Sequence, residues 1–492
     1  MKAVGIILAG GNNSRMQELS NKRAIAAMPI GGSYRSIDFA LSNMSNSHVQ
    51  TVAVLTQYSA RSLNEHLSSS KWWDFGRKQG GLYVFNPTVT VDNSWWYRGT
   101  ADAMYQNISF LKKRHEPYVI ISSGDCVYKL DFNKVLDYHI EKKADITVVC
   151  KDMDPNVDVS RFGVVRMNED SRIVEFEEKP MVSQSNTIST GIYIVRRRQL
   201  IEMLERSADE GRWDFVTDIL IRYKNMKRIY GYKMKEYWSN IASVDSYYQT
   251  NMDFLKPEVR SYFFKEYPDI YSKVDDLPPA KYNPGAQVRN SLVSSGTIIN
   301  GTVEDSVIFK ETYIGNNCYI KNSIILNDVY IGDNTHIENC IIESHDTIRA
   351  NSYYVGENGV WVHNANCKLI KNDDGTYDAE LSYKEDWTPE QRAEADAKCK
   401  ALSDADTVKT KVERNDSPSV EYKKAFGKDS IPAGKDIDHT IDLQLGGNPD
   451  VKVNGKPLDK SVNRSLGKQI GYLIKDFDYG TIIRKFTMVN RQ

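Results

Sequence analysis

The spacing of hydrophobic residues divides this chain into three textures. From residue 1 to about 255, short runs rich in β-branched residues alternate with segments of helical pattern; the runs are VGIILA, VQTVAVLT, YVIISSG, ADITVVC and TGIYIV. From about 283 to 350 single aliphatic residues recur at short intervals, and beyond about 367 the chain is polar with a helical stretch, TPEQRAEADAKCKAL. The first texture predicts an α/β domain, because alternating strands and helices build a largely parallel sheet with crossover helices.

The middle texture is a regular repeat. Successive aliphatic positions lie 5, 6, 6, 5, 6, 6, 5 and 6 residues apart, so the pattern returns every 17 residues; the positions are Val303, Ile308, Ile314, Ile320, Ile325, Ile331, Ile337, Ile342 and Ile348. Three short faces per coil predict a left-handed parallel β-helix of hexapeptide repeats, with each inward side chain stacked on its equivalent one coil away. Gly315 and Gly332 fit the corners, where a Cβ would obstruct the turn. Amphipathic strands of a sandwich would not keep this period for nearly three coils.

The change of texture predicts how the chain is divided. A length of 492 residues exceeds what one hydrophobic core usually organises. We expect an α/β domain over 1–255, a proline-marked connector over 256–282, the β-helix over 283–352, a junction over 353–384 and a small α+β domain over 385–492. Because a stack of coils cannot close its own ends, the β-helix is expected to form a subunit interface.

Composition narrows the class of protein only a little. The formal net charge of -1 gives no overall bias toward nucleic acid or membrane. No apolar run reaches the length that spans a bilayer, and the start MKAVGIILAGG has neither a basic region nor a cleavage site, so a cytoplasmic protein with no membrane partner is expected. The six cysteines are scattered without a CxxC pair, which favours reduced cysteines that bind no metal.

A glycine-rich turn follows the first apolar run, in LAGGNNSRM. Backbone N–H groups at Gly10 and Gly11 can hold phosphates there, and Arg15 can add positive charge. Four more motifs follow in order: PIGGSYRSIDFALSNMSNS at 29–47, YRGTADAMYQN at 97–107, SSGDCVYKLDF at 122–132 and VEFEEKP at 174–180. Together they resemble ADP-glucose pyrophosphorylase over residues 1–350. The resemblance implies a nucleotidyltransferase domain that joins glucose 1-phosphate and ATP to give ADP-glucose and pyrophosphate for glycogen synthesis.

The resemblance also implies roles for single residues. Arg15 matches the loop arginine that meets the nucleotide phosphates. Asp125, beside Gly124 in the SGD turn, matches the carboxylate that holds Mg²⁺, an ion that prefers hard oxygen ligands; an aspartate after glycine can also cap a turn. Glu178 and Lys179 match the sugar-phosphate site. Gln57, in LTQYS, matches an amide that reads the base.

Several positions depart from the catalytic pattern. Catalytic members carry a lysine in an RAKP-like stretch, whereas KRAIAAMP places Ile25 there. They also carry a second metal aspartate in a WxDxGT-like motif, whereas WSNIASVDSYY has Asn240, with Ala242 and Ser243 in place of Gly-Thr. A loop glycine has become Asn13, which adds bulk near the phosphates. These changes resemble the regulatory, GlgD-type branch of the family, whose members assemble with a catalytic subunit.

The segment after the β-helix has a different character. Residues 353–367 read YYVGENGVWVHNANC and resemble the short segment ahead of the toxin module in bacterial polymorphic toxins. His363 and Asn364 suit asparagine cyclisation, as in Hint-type self-processing domains. The rest of a Hint domain is absent from the sequence, so an incidental pair in a loop is the favoured interpretation.

The last hundred residues resemble HNH-type nuclease toxins, through GKDIDHTIDLQLGGNPDVKVNGKPLDKSVNRSLGKQI at 434–470. The resemblance implies that His439 is the base, with Asp438 and Asn463 as ligands of a divalent ion such as Mg²⁺. Asp442 is a weaker ligand candidate, since it can cap a turn. Basic residues are frequent from residue 460 onward, and such residues suit contact with nucleic acid. They are Lys460, Arg464, Lys468, Lys475, Arg484, Lys485 and Arg491.

Three functions remain open from the sequence. The first is a regulatory subunit that binds ATP and sugar phosphates with little turnover and pairs with a catalytic subunit or with itself. The second is an active adenylyltransferase that uses substitute residues. The third is a toxin-type nuclease for which the front domain is only a carrier. Ile25 and Asn240 argue against the second function.

Overall fold

The structure is a computed structural model of the chain. It describes all residues except 1, 12–13, 21–22, 77–79, 89–95, 156, 182, 184, 357–360, 364–366, 373–374, 384–386, 406, 412–417, 428–429, 433, 475–476, 478 and 490–492. The chain forms two compact units, Met1–Leu277 and Pro278–Gln492. No described helix is both long and apolar enough to cross a membrane.

A nine-stranded sheet organises the described part of the first unit. Its strands, with the separate two-stranded sheets β2–β3 and β7–β13, are β1 (Ala3–Leu8), β2 (Pro29–Ile30), β3 (Tyr34–Arg35), β4 (Thr51–Leu55), β5 (Gly81–Phe85), β6 (Tyr118–Ser123), β7 (Cys126–Tyr128), β8 (Ile146–Asp152), β9 (Gly163–Met167), β10 (Ile173–Glu178), β11 (Thr187–Arg196), β12 (Ile229–Lys233) and β13 (Trp238–Asn240). The order is β10-β9-β11-β6-β1-β4-β5, with β8 beside β11 and β12.

The sheet is parallel where the sequence pattern alternates most clearly. Strands β6, β1, β4 and β5 run parallel, whereas β11 is antiparallel to β6, β8 and β9. The sheet is therefore mixed rather than largely parallel at its β10 end, where β9 and β10 are joined by a short turn that favours antiparallel pairing. The parallel part brings the carboxyl ends of β1, β4 and β6 to one edge.

Helices cover both faces of this sheet. They are α1 (Ser36–Asn46), α2 (Arg61–Leu67), α3 (Thr100–Gln106), α4 (Ile108–Lys112), α5 (Phe132–Glu141), α6 (Arg197–Asp209), α7 (Val244–Asp253) and α8 (Pro257–Phe264), with 3₁₀ turns at Ser14–Ser20, Ile25–Ala27 and Ser70–Trp73 and a π-helix at Val216–Ile221. Strand β1 shows the two-sided burial. Val4 and Ile6 point into one hydrophobic core, and Ala3 and Ile7 point into the other. A strand covered on both faces reads as a continuous apolar run, which explains VGIILA.

The first unit extends beyond the predicted boundary at 255. Helix α8 lies in the segment expected to be a connector, and Phe263 on this helix is buried. Its ring contacts Phe39 edge to face at 5.4 Å between centroids and Phe254 at 5.3 Å. This aromatic packing makes residues 257–264 part of the first domain's core, a contact that the proline pattern did not indicate.

The second unit begins with three parallel five-stranded sheets. Their strands are β14 (Lys281–Tyr282), β15 (Gln287–Arg289), β16 (Leu292–Val293), β17 (Ile298–Ile299), β18 (Thr302–Glu304), β19 (Val307–Ile308), β20 (Tyr313–Ile314), β21 (Tyr319–Lys321), β22 (Ile324–Ile325), β23 (Tyr330–Ile331), β24 (His336–Glu338), β25 (Cys340–Ile342), β26 (Thr347–Ile348), β27 (Tyr353–Val355) and β28 (Trp361–His363). Val303 pairs with Ile320, which pairs with Ile337, and all nine repeat positions lie in one buried cluster. The 17-residue period therefore gave the correct register, and the arrangement is consistent with the left-handed β-helix expected.

The corners of the β-helix repeat as regularly as its core. Left-handed backbone conformations recur every 17 residues on three corners; they are Asp305, Asn322 and Asn339, then Glu311, Asp328 and His345, then Asn317, Asn334 and Asn351. Asparagine and aspartate tolerate positive φ better than most residues. A Cβ on Gly332 would lie 2.5 Å from the Ala350 nitrogen, so this corner has room only for glycine, as predicted.

The β-helix continues past the predicted end at 352. Strand β27 pairs with β24, and β28 pairs with β25, so the coil runs on to His363. The junction expected over 353–384 also contains the first strands of the following sheet. The aliphatic spacing missed this coil because Tyr354 replaces the aliphatic residue and stacks on Ile337.

The remaining part of the second unit is α+β. Its strands are β29 (Cys367–Lys371), β30 (Tyr377–Ser382), β31 (Thr407–Val408), β32 (Lys435–His439), β33 (Gly455–Asp459) and β34 (Ile482–Val489), and its helices are α9 (Pro389–Ser403), α10 (Pro418–Phe426), α11 (Val451–Asn454) and α12 (Lys460–Leu473), with a 3₁₀ turn at Leu443–Leu445. One sheet has the order β29-β30-β34-β31, and β32 and β33 form a separate antiparallel hairpin. Leu402, Leu466 and Phe486 belong to its hydrophobic core.

Candidate functional site

A cleft of about 360 Å³ lies at the carboxyl ends of β1, β4 and β6. In open α/β sheets this edge is where ligands bind. The cleft is lined by Leu8, Ala9, Gly10, Gly11, Ile25, Ala26, Leu55, Gln57, Tyr58, Tyr97, Arg98, Gly99, Thr100, Ala103, Ser123 and Asp125. The structure therefore brings together four residues predicted for the site, Gly10, Gly11, Gln57 and Asp125, which are distant in the sequence.

Two glycine turns shape the floor of the cleft. A Cβ on Gly10 would lie 3.3 Å from the Gln57 Cβ, whereas a Cβ on Gly11 would meet no atom within 4 Å. The Gly124 N–H donates to the Leu8 carbonyl at 2.9 Å, and its carbonyl accepts from the Ser36 hydroxyl at 3.0 Å. These bonds hold the SGD turn against the end of β1, so Asp125 faces the cleft.

Asp125 directly precedes β7, and Asn240 ends the neighbouring strand β13. Strand β13 pairs with β7 so that Asn240 stands opposite Cys126, and the Ile241 N–H donates to the Asp125 carbonyl at 3.0 Å. The Asp125 carboxylate accepts a hydrogen bond from the Ser123 hydroxyl. The Asn240 side-chain oxygen accepts from the Ala242 N–H at 3.0 Å, which uses one of its two lone pairs within its own turn.

The contacts of Asn240 also show which groups near Asp125 could bind Mg²⁺. The Asn240 amide nitrogen lies 3.6 Å from the Cys126 sulfur, and burial, followed by the charge of Asp125, raises the pKa of the Cys126 thiol. That thiol is therefore neutral and is no ligand for a hard ion. No group of three or more His, Cys, Asp or Glu residues within the described chain could hold a metal ion. Mg²⁺ is usually bound by one or two carboxylates together with substrate phosphates, and Asp125 is one such carboxylate.

Ile25 lies in the wall of the cleft. It begins the 3₁₀ turn Ile25–Ala27, it lines the cleft, and only 5% of its surface is exposed. Ala26 next to it closes over the SGD turn, since a Cβ on Gly124 would lie 3.2 Å from the Ala26 Cβ. The position that carries a lysine in the catalytic pattern is thus an apolar part of the pocket and supplies no charge.

The segment YRGTADA contributes residues that the sequence analysis did not single out. The Gln57 amide accepts from the Tyr97 N–H at 2.7 Å, so the predicted base-reading side chain holds the backbone of this segment. Arg98 lies over the Trp213 ring at 3.3 Å and binds Asp102 with its backbone and its guanidinium. The motif itself was the signal that could have identified Tyr97 and Arg98 as cleft residues.

The remaining predicted residues lie outside the lining of the cleft. Glu178 ends β10, and Lys179 follows it with φ +49°. The Lys179 ammonium contacts the Glu178 carboxylate at 3.1 Å, and 64% of the lysine side chain is exposed. Arg15 is exposed, and its charge acts on Asp158. Asn13 lies outside the described residues.

Comparison with known proteins identifies the family. The nucleotidyl transferase family model matches residues 4–257, and the family described as GlmU-like, C-terminal hexapeptide matches residues 278–361. The glucose-1-phosphate adenylyltransferase of Clostridium novyi is 39% identical over 320 residues, which are 64% of this chain and 84% of the relative. The enzymes of the same name from Clostridium beijerinckii (41% over 322 residues, 65% and 83%) and Bacillus subtilis (39% over 320 residues, 64% and 84%) are similar. The chain belongs to the glucose-1-phosphate adenylyltransferase family.

Membership of this family gives the cleft its chemistry. The nucleotidyl transferase domain indicates binding of ATP and a sugar phosphate, and the hexapeptide repeats favour oligomerisation. This chain has an aliphatic side chain at Ile25, in the lining of the cleft, and an amide at Asn240, next to the residue bonded to Asp125. Both family matches end by residue 361, so the α+β part of the second unit lies beyond them.

In that part, His439 ends β32 and is buried. Its Nε2 lies 3.4 Å from the Pro449 carbonyl. The buried ammonium of Lys398 contacts both the Asp438 carboxylate and the His439 carbonyl. Burial raises the pKa of Asp438, and the charge of Lys398 opposes that rise. Asp438, predicted to bind a metal, thus has a cation from the chain itself beside it.

The other predicted residues of this part are spread over the hairpin and helix. Asp442 caps the turn Leu443–Leu445 by accepting from the Gln444 N–H at 3.0 Å, which is the alternative role noted from the sequence. Asn463 lies in α12, directly after the hairpin. Arg464 on the same helix contacts Asp436 at 3.5 Å. Asn364, Lys475 and Arg491 lie outside the described residues, as does the side chain of Lys468.

Proposed function

We propose that this chain is a regulatory, GlgD-type subunit of the ADP-glucose pyrophosphorylase kind, which binds ATP and sugar phosphates for glycogen synthesis but turns them over slowly or not at all. The observation that carries the proposal is Ile25, buried in the wall of the family's cleft. An aliphatic side chain cannot neutralise phosphate, and phosphoryl transfer depends on positioning and charge neutralisation. The loss of one such group costs on the order of 10²–10³ in rate.

Asn240 supports the same proposal. It is neutral where the catalytic pattern has a carboxylate, and its oxygen is held by the Ala242 N–H. Magnesium binding at Asp125 stays a prediction. When bound, that ion would be held by the Asp125 carboxylate together with substrate phosphates, and we derive no catalytic step through it. Glu178 and Lys179 stay predictions for the sugar-phosphate site, as does Arg15 for the nucleotide phosphates.

Turnover measurements test this function. We expect the full chain with glucose 1-phosphate and ATP to release pyrophosphate far below about 10 s⁻¹, the rate of an ordinary enzyme. The double variant Ile25→Lys with Asn240→Asp should be faster, because it restores both charges. Ile25→Met with Asn240→Ala is the matched control, which changes the same positions without adding charge. Turnover near 10 s⁻¹ in the unaltered chain would favour an active adenylyltransferase with substitute residues.

We also propose that the α+β part beyond residue 361 is a metal-dependent nuclease of the HNH type. If the regulatory function is wrong, the first unit is only the carrier of this nuclease. The specific support is a β32–β33 hairpin followed directly by α12, with His439 at the end of the first strand and Asn463 on the helix. A histidine held there can activate water against a phosphodiester, while one divalent ion stabilises the leaving oxygen. The Lys398 ammonium contacts the Asp438 carboxylate. His439 and Asn463 are therefore the remaining candidates for the base and the metal ligand.

Cleavage assays test the nuclease. The full chain should cut DNA or RNA in Mg²⁺ or Mn²⁺, EDTA should stop cleavage, and His439→Ala should abolish it without altering the circular dichroism spectrum. His345→Ala, an exposed histidine of the β-helix, is the control. A folded chain that cuts neither single- nor double-stranded nucleic acid with any common divalent ion would show that this part is no nuclease.

A further inference from the structure

Arg161 occupies a position that the motif comparison did not assign. It precedes β9 in the sequence DVSRFG, and its Nη1 donates to the Ser243 hydroxyl at 3.1 Å across 82 residues of chain. Ser243 follows Asn240 by three residues and caps α7. The guanidinium therefore lies beside the turn in which this chain has lost the second carboxylate of the catalytic pattern.

Among the described residues, Arg161 contacts a hydroxyl group and an aromatic ring rather than a carboxylate. The guanidinium lies 5.1 Å from the Phe162 ring, and Phe162 packs edge to face on Trp238 at 5.7 Å. The partner at Ser243 is a neutral hydroxyl. The buried Nε of Arg161 has no hydrogen-bond partner in the described chain. A buried N–H without an acceptor costs about 1–3 kcal/mol, so the contacts within the described chain do not use every donor of this guanidinium.

Arg161 also connects the predicted sugar-phosphate turn with the Asn240 turn. The Lys179 N–H donates to the Phe162 carbonyl at 3.1 Å, which fixes the Lys179 turn next to Arg161. The exposed carboxylate of Asp158 is near both Arg161 and Arg15: its pKa is lowered first by the Ser160 N–H and then by the charges of these two arginines. Arg161 and Arg15 thus both act on Asp158, and the backbone of Lys179 is bonded to the residue that follows Arg161.

We propose that Arg161 binds the phosphate of a hexose 1-phosphate and lets this chain bind that ligand without a divalent ion. The inference rests on the proposed function, since it names how the sugar phosphate is held. A guanidinium offers donors in a fixed fork that matches phosphate oxygens. It supplies positive charge at the Asn240 turn, where an amide has replaced the carboxylate needed to hold a metal.

Titration calorimetry with glucose 1-phosphate on the full chain in EDTA tests this directly. The unaltered chain should bind, and added Mg²⁺ should change its Kd by less than about threefold. Arg161→Gln should weaken binding by about tenfold or more, or ~1.4 kcal/mol, and Arg161→Lys by less, since lysine keeps the charge but not the fork. Arg166→Gln, at an exposed arginine paired with Glu175, is the matched control and should leave Kd unchanged.

The possible outcomes distinguish a failure of the Arg161 proposal from a failure of the proposed function. Each variant is also titrated with ADP-glucose and checked by circular dichroism, so that a misfolded protein is recognised. If ADP-glucose binds while Arg161→Gln and Arg161→Lys, both folded, bind glucose 1-phosphate as the unaltered chain does, the role of Arg161 is wrong and the proposed function stands. If glucose 1-phosphate binds only with Mg²⁺, the metal-free mode is wrong. If neither ligand binds the unaltered chain, both proposals fail.

Discussion

At the scale of single residues, polar side chains in and beside the cleft already form hydrogen bonds within the protein. The Asn240 oxygen accepts from Ala242, and the Gln57 amide holds the Tyr97 backbone. A residue type suggests which chemistry is possible, but a hydrogen bond within the protein decides whether that group is available to a ligand. Variants at Asn240 therefore change a turn as well as a charge, which is why the control in the turnover experiment alters the same positions.

The contribution of His139 to stability depends on pH because its side chain is buried. It is 1% exposed, its Nδ1 lies 2.8 Å from the Thr147 hydroxyl, and its Nε2 has no partner within the described chain. Burial, helped by the charge of Arg196 and opposed by Asp145, lowers its pKa from 6.5 to about 4. The unfolded chain therefore binds a proton at a pH where the folded chain does not, so stability falls as pH drops from 6.5 toward 4.

We predict that this one residue lowers the free energy of unfolding by about 2 kcal/mol at pH 5 relative to pH 8. Urea unfolding read by hydrogen exchange on β6 and β8 should show a smaller pH effect in His139→Gln than in the unaltered chain. His115→Gln, at an exposed histidine, is the control and should keep the full effect. Equal pH dependence in all three proteins would mean that His139 titrates normally in the folded state.

At the scale of elements, the β-helix is a stack in which one side chain supports the next. Val303 is fully buried between neighbouring coils, whereas its partner Val288 in the preceding coil is 37% exposed. The same residue type thus occupies equivalent positions with different burial. The apolar surface removed from water differs between them, and so should the cost of shortening each side chain.

We predict that Val303→Ala destabilises the β-helix by roughly 2 kcal/mol, from lost burial and the cavity left behind. Val288→Ala should cost less than half of that, because solvent already reaches the site. Hydrogen exchange in urea on peptides from β18 and β21 measures both changes. A cost at Val288 equal to that at Val303 would contradict stacking as the main source of stability in these coils.

At the scale of the whole molecule, hexapeptide repeats in the second unit favour assembly. We predict that the full chain forms oligomers with itself or with a catalytic member of the family through the β-helix, since coil ends and apolar edges need cover. Light scattering over a range of concentrations measures the mass of the chain, alone and mixed with a catalytic relative. A chain ending at Leu277 should lose the association while keeping the circular dichroism of its sheet and helices.

The contrary result for assembly is equally definite. A full chain that stays monomeric both alone and in the mixture would show that the β-helix does not serve as an interface here. An association that persists in the chain ending at Leu277 would place the contact in the first unit instead. Either result would leave the sugar-nucleotide cleft unaffected, because the residues that line it all lie in that unit.

The sequence by itself determined the features that depend on local spacing. The 17-residue period predicted the register that pairs Val303 with Ile320, and the glycine after β1 predicted the turn at the cleft. Ile25 and Asn240 were recognised as departures because they fall inside ordered motifs. Such features can be predicted from the sequence because each depends on residues close together in the chain or on a strict period.

The tertiary structure alone decided which distant groups meet. It placed Arg161 on Ser243, Lys398 on Asp438, and helix α8 in the aromatic core of the first unit. It also carried the β-helix two strands beyond its aliphatic pattern, to His363. No spacing rule encodes these contacts, because each one joins segments whose approach depends on the packing of the whole domain rather than on neighbouring residues.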